Sequence, residues 1–184
     1  MRTNQTPPLV DYDPLGSDPT LENAIRREGG AWGVEETRLF GKRVTSEEVM
    51  ASGFAANQSP PRLETHDRFG ERSDRVEYHP AWHQLMELSV SEGLHSLPFE
   101  HPPGEGSRVV RDAKFTLMSQ IEAGHGCPMS MTTAAHYTLD DTGHSQELLG
   151  LLNSRRYDPR LIPLTGKQGA LAGMGLTERQ GGSD

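Results

Sequence analysis

Apolar residues recur at helical spacing along most of the chain, and glycine and proline divide the pattern into separate helices. Asp18 as a cap and Pro19 at the first helical position predict a helix over 20–28, with Leu21, Ala24 and Ile25 as its apolar face and Gly29-Gly30 as its end. A second helix over 31–40 buries Trp32, Leu39 and Phe40 and stops at Gly41. Thr45-Ser46-Glu47-Glu48 reads as a capping box for a third over 46–56, where Val49, Met50 and Phe54 repeat before Asn57 and Pro60-Pro61 stop it. His79-Pro80 opens a helix over 80–93 with Trp82, Leu85, Met86 and Ser89 on one face. Ser107 caps the longest, 108–123. Its residues Val110, Ala113, Leu117 and Ile121, flanked by Val109, Phe115 and Met118, suit the centre of a bundle. The sparsely charged stretch 127–139 and the leucine-rich 145–153 complete a mainly α chain.

Three segments break this pattern. Residues 1–18, with Pro7, Pro8 and Pro14, read as an extended arm on another surface, or as disorder. Residues 62–79 alternate charges of both signs, with a turn at Asp67-Arg68-Phe69-Gly70. They form a solvated loop, or a ribbon packed on the helices by Phe69 and Tyr78. The third segment is 169–184. Leu171, Ala172, Met174 and Leu176 can pack as a strand, while Gly169, Gly173 and Gly175 leave room for something flat. Thr177 and Glu178 follow, and then Gly181-Gly182-Ser183-Asp184, whose N–H groups and hydroxyl suit an anionic group. A glycine-rich loop at a frayed terminus is the plain alternative. Between the last helix and this run, Arg155 and Arg156 can pair with Asp158 or with acids elsewhere, and 162–168 is a linker.

Composition narrows the function. With 33% hydrophobic residues, mean hydropathy −0.65, 13 prolines and 20 glycines in 184 residues, the chain is short of core and calls for a partner surface. A net charge of −8 repels a phosphate backbone, which argues against this segment being a nucleic-acid contact. The single Cys127 excludes an internal disulfide and suits a reducing compartment; lying before Pro128 among small residues, it reads as a buried, inert thiol. No signal-peptide layout or membrane-length apolar run is present, so the expected location is the cytoplasm. His79 and His83 have the i,i+4 spacing of a helical metal pair, but no Glu-x-x-His partner or cysteine pair lies beside them to support one. His79 before Pro80 reads instead as a cap, and no metal ligand is assigned.

Gly173-Met174-Gly175-Leu176-Thr177-Glu178-Arg179-Gln180-Gly181-Gly182-Ser183-Asp184 resembles the flavin-binding signature of acyl-CoA dehydrogenases, in which Thr-Glu-Pro is followed by Gly-Ser-Asp. Arg179 stands where most of that family has proline. With Gln180-Gly181-Gly182, it resembles the AidB-like, alkylation-response branch. Tyr78-His79-Pro80-Ala81-Trp82-His83, Gln120-Ile121-Glu122-Ala123-Gly124, Cys127-Pro128-Met129-Ser130-Met131-Thr132 and Arg156-Tyr157-Asp158 point the same way. The resemblance covers the chain from about Leu21 to Asp184.

The resemblance implies the N-terminal helical domain of the acyl-CoA dehydrogenase fold over 19–167, and over 168–184 the first strand of a middle β-domain. The chain is then an N-terminal fragment of a longer protein. It further implies an FAD enzyme that removes hydrogens from the α and β carbons of an acyl-CoA. Carried over by position, Leu176 and Thr177 would meet the pyrimidine edge of the flavin, and Gly181, Gly182 and Ser183 its pyrophosphate. Met129–Thr133 would lie beside the flavin and acyl pocket. The family's glutamate base lies outside this chain, so no catalytic residue is assigned. The implied partners are an acyl-CoA or related small molecule and further subunits of a homotetramer, with the N-terminal extension on a neighbour; DNA would be reached only through a C-terminal region. Two alternatives are an ordinary metabolic acyl-CoA dehydrogenase, which Arg179 and the long N-terminal extension count against, and a DNA-associated protective flavoprotein with little catalysis. With half the site elsewhere, this chain alone is not expected to bind FAD tightly.

Overall fold

The computed structural model describes residues 4–141, 143, 146–175, 177 and 179–182. Asp13 caps α1 (Pro14–Ser17), donating nothing and accepting the Gly16 amide at 2.8 Å. Asp18 does the same for Thr20 and Leu21 at the start of α2 (Pro19–Arg27), where Pro19 loses no helical hydrogen bond. Among the described residues of the arm, helix begins at Pro14. Beyond it, Leu15 is fully buried in the same cluster as Ile25, and the Asp11 amide donates to the Thr45 carbonyl at 2.8 Å. At least this end of the arm packs on its own chain.

A short 3₁₀ turn (Ala31–Gly33) leads into α3 (Val34–Val44), which passes through Gly41. Gly41 does not stop the helix; it lets it approach α1, because a Cβ there would come within 2.8 Å of Pro14. Ser46, not Thr45, caps α4 (Glu47–Gln58) by accepting from the Val49 amide, while the Thr45 hydroxyl donates to the Tyr12 carbonyl at 2.8 Å. Of the apolar residues expected inside these helices, Phe40 is buried, but Leu39 and Phe54 are 60% and 66% exposed. Trp32 is half-exposed, with its indole N–H donating to the Glu105 carbonyl at 2.7 Å and its ring stacked on His101.

Residues 62–77 form a hairpin of β1 (Arg62–His66) and β2 (Arg72–Glu77), antiparallel, with Leu63 opposite Val76. Asp67 closes its turn by accepting from the Phe69 and Glu71 amides. Of the two expected anchors, Tyr78 holds the ribbon, stacked on Trp82 at 3.9 Å; Phe69 is 77% exposed. His79 then caps α5 (Pro80–Ser91), its Nδ1 accepting from the Ala81 amide at 3.1 Å.

Helix α6 (Ser107–Ser119) joins the two halves of the core. Val110 and Ala113 pack with Leu15, Ile25, Val34 and Leu97; one turn on, Leu117 and Met118 pack with Phe40, Val44, Leu85, Met86 and Met129. The central position expected of this helix is observed. Its N-cap is Gly106 at φ +71°, not Ser107, and a Cβ there would strike the backbone of Gly29 and Gly30. α6 ends at Ser119, four residues short of the expected end, and α7 (Gly126–Asp141) and α8 (Gln146–Leu152) follow. No helix among the described residues is long and apolar enough to cross a membrane.

Candidate functional site

The segment after α8 turns back on itself and lays residues 168–172 against α7 and α8. Asp158 organises the turn. One carboxylate oxygen accepts from the Arg160 amide and Nε, the other from Arg160 Nη2 at 2.6 Å and the Gln168 amide at 3.0 Å. Its carbonyl accepts from Lys167 Nζ at 2.7 Å. The Arg160 guanidinium and the Gln168 amide hold the Asp158 carboxyl far below the usual carboxylate range. Arg155 and Arg156 do not pair with it. Arg155 forms a two-pronged bond to Glu100 at 2.9 and 2.6 Å, and Arg156 reaches Gln168.

The returning segment is tied down at several points. Ser154 Oγ donates to the Gln168 carbonyl at 2.6 Å. Gly169 sits so close to Arg156 that a Cβ would run into its carbonyl oxygen. The Ala170 amide donates to the Leu151 carbonyl at 3.0 Å, and the Ala172 amide to Thr132 Oγ1, also at 3.0 Å. Of the Met129–Thr133 stretch expected near the site, Thr132 is the residue that touches the run; Met129 fills the core, and Thr133 Oγ1 donates to the His95 carbonyl.

Beyond Ala172 the described residues leave the surface. Gly173 and Gly175 have no atom within 4 Å of a Cβ position, and Met174 is 65% exposed. Thr177, Gly181 and Gly182 are exposed; Leu176 and Ser183, the other two expected flavin contacts, lie outside the described residues. The run shows no strand pairing among the described residues. Its N–H groups at Gly173, Gly175, Thr177, Gly181 and Gly182 and the Thr177 hydroxyl make no hydrogen bond to a described residue. This set of unused donors on glycine-rich backbone fits the polar ring edge and diphosphate of a flavin dinucleotide.

His95 closes the underside. It is 1% exposed, and its Nε2–H donates to the Ser154 carbonyl at 3.1 Å, while Nδ1 has no partner. Burial pushes its pKa down to about 4, assisted by Arg155 and Arg111 against the pull of Glu100. His83, by contrast, meets the Tyr157 hydroxyl at 2.6 Å, and burial pushes Tyr157 up to about 12. Among the described residues, no three metal-ligating side chains converge.

Two buried polar groups have no counterpart in the sequence reading. Glu122 accepts from His125 Nδ1 at 2.9 Å, and His125 Nε2 accepts from the Ser89 hydroxyl at 2.9 Å. The order is that of a hydrolase triad, but Ser89 has no exposure, so no substrate reaches it. It clamps the turn before α7 onto α5. The Glu122-x-x-His125 spacing was the available signal. Lys114, also without exposure, bonds to Glu36 and, at 3.1 Å, to Glu92, and lies over the Phe40 ring. Cys127 is exposed, contrary to expectation, because it opens α7 on the side away from the core.

The fold of the described helices is that of about a third of an acyl-CoA dehydrogenase. The chain superposes on the crystal structure of Caenorhabditis elegans ACDH-11 in complex with C11-CoA with a TM-score of 0.79 at 28% identity, covering 100% of this chain and 31% of that one. Residues 4–159 match the Adaptive response protein AidB N-terminal domain, and the chain belongs to that family. It is 40% identical over 183 residues to the Putative acyl-CoA dehydrogenase AidB of Escherichia coli (strain K12), covering 98% of this chain and 34% of the relative. To the Acyl-CoA dehydrogenase family member 11 of Caenorhabditis elegans it is 31% identical over 190 residues, covering 98% and 29%. The chain thus spans about a third of the length of these relatives.

Proposed function

We propose that the protein carrying this chain is an FAD-dependent flavoprotein of acyl-CoA dehydrogenase type in the alkylation-response branch. The observation that supports this most is the run from Gly169, fixed to α7 and α8 at Ala170 and Ala172 and then leaving with its donors unused. A structural neighbour bound to C11-CoA supports an acyl-CoA as the small-molecule partner. The reading also includes a homotetramer, a cytoplasmic location and a link to DNA alkylation damage. The acidic charge of this segment leaves any DNA contact to other parts of the protein.

When bound, FAD supplies the hydride acceptor for dehydrogenation of the thioester at its α and β carbons. This chain's part is to bind and orient. The Leu176 and Thr177 backbone amides and the Thr177 hydroxyl would hold the polar ring edge, whose reduced form carries negative charge. Gly181, Gly182 and Ser183 would hold the diphosphate through backbone N–H groups and a hydroxyl. Helix α7 forms a wall that keeps water from one side of the site.

The test is to express the complete reading frame, record its flavin spectrum and titrate it with a short branched acyl-CoA. The proposal expects a yellow protein that the acyl-CoA bleaches. A colourless protein sinks it. A yellow protein that no acyl-CoA bleaches moves the reading to a protective flavoprotein with little catalysis.

A further inference from the structure

A threonine inside a helix usually satisfies its hydroxyl within its own turn. Thr132 does this on the donor side, giving its proton to the Pro128 carbonyl at 2.7 Å. Its remaining lone pair accepts the Ala172 amide, 40 residues away, at 3.0 Å. Thr132 is 1% exposed, so its hydroxyl has no water as a substitute for the half-buried Ala172 amide. A helix flank offers few acceptors, because its carbonyls are already used along the helix. On α7 the Thr132 hydroxyl supplies the one that the run bonds to among the described residues.

Ala170 and Ala172 point their amides to the same edge, as alternate residues of an extended segment do. One is held by α8 at the Leu151 carbonyl, the other by α7 at Thr132. After Ala172 no described residue of the run makes another hydrogen bond, and Thr177 follows five residues on. The direction in which the free donors leave is therefore set at Ala172.

From this we infer that Thr132 is a positioning residue, which fixes the take-off of residues 173–182 and thereby the placement of the flavin-binding donors. The inference rests on the proposed flavin reading, and its test separates the two. The complete protein is prepared with Thr132→Val, which keeps the shape and removes the hydroxyl, and with Thr132→Ser, which restores it. Amide hydrogen exchange at Ala172 and the Kd for FAD of the flavin-stripped protein are measured on each.

Thr132→Val is expected to speed Ala172 exchange and raise the FAD Kd by about fivefold to tenfold each, the loss of one buried hydrogen bond, with Thr132→Ser close to wild type in both. A purely structural role would lower the melting temperature of both variants without this rescue. Ala172→Pro removes the same bond from the other end and leaves α7 untouched, so it decides the case if Thr132→Val does not fold; the same rise in Kd is expected. Unchanged Ala172 exchange in Thr132→Val overturns the inference, as does faster exchange with an unchanged Kd. If the wild-type protein takes up no flavin, the flavin reading and the positioning role both fall. Ala172 exchange then still reports whether the Thr132 bond holds the run.

Discussion

Protonating His95, beneath the turn that follows α8, should destabilise this domain. The neutral ring donates through Nε2 to the Ser154 carbonyl and leaves Nδ1 facing no acceptor in a site 1% exposed. A second proton would be buried without a partner and repelled by Arg155 and Arg111. Its pKa is accordingly about 4 in the folded chain against 6.5 when exposed. The unfolded state therefore binds the extra proton first, and stability falls as pH drops below 6.5 toward 4. Each pH unit in that window removes about 1.4 kcal/mol, so lowering the pH from 7 to 5 costs about 2 kcal/mol through His95 alone. Urea unfolding at a series of pH values measures this, and His95→Gln, which keeps an N–H for Ser154 but cannot titrate, isolates it. His125 and His83, both also shifted down by burial, leave a residual slope in the variant. The comparison is between slopes, so any fixed cost of the substitution cancels. Equal pH dependence in the two proteins between pH 7 and 5 refutes the argument.

Gly169→Ala forces a Cβ into the Arg156 carbonyl and should cost about 1–3 kcal/mol, read as faster proteolysis between 158 and 182 with the helices intact. Lys114→Met leaves Glu36 and Glu92 without their shared cation. Glu36 is 41% exposed and Arg43 still reaches Glu92, so the loss in denaturant unfolding should be about 2 kcal/mol, below that of a fully buried pair. Cys127, being exposed, should react with a thiol reagent in the folded chain before any denaturant is added; a thiol that needs unfolding first contradicts its placement.

The helices were legible because burial imposes a 3.6-residue period, and Ile25, Val110 and Leu117 are buried where that period placed them. The period says which residues are apolar, not what covers them, so Leu39 and Phe54 are exposed on the same helices. Gly41 reads as a helix stop from sequence, whereas it admits a neighbouring helix; the cap of α6 falls at Gly106 rather than the expected Ser107, because the chain turns there at φ +71° against the backbone of Gly29 and Gly30. Lys114 could not be found by pattern, since lysine reads as surface and its acids lie 78 and 22 residues away. The site shows the same division. Thr177, Gly181 and Gly182 were singled out by their string, and they are exposed with unused donors. Thr132 and Asp158, which hold the run's approach, act through bonds that only the folded chain brings together.

The central claim is that the run from Gly173 carries a flavin edge supported by α7 and α8. Amide hydrogen exchange across residues 168–182 of the complete, flavin-stripped protein, with and without added FAD, tests it most directly. Ala170 and Ala172 are expected to be protected already without FAD, with protection spreading to Gly173, Gly175, Thr177, Gly181 and Gly182 when FAD is added. Exchange at those five amides that is unchanged by FAD contradicts it.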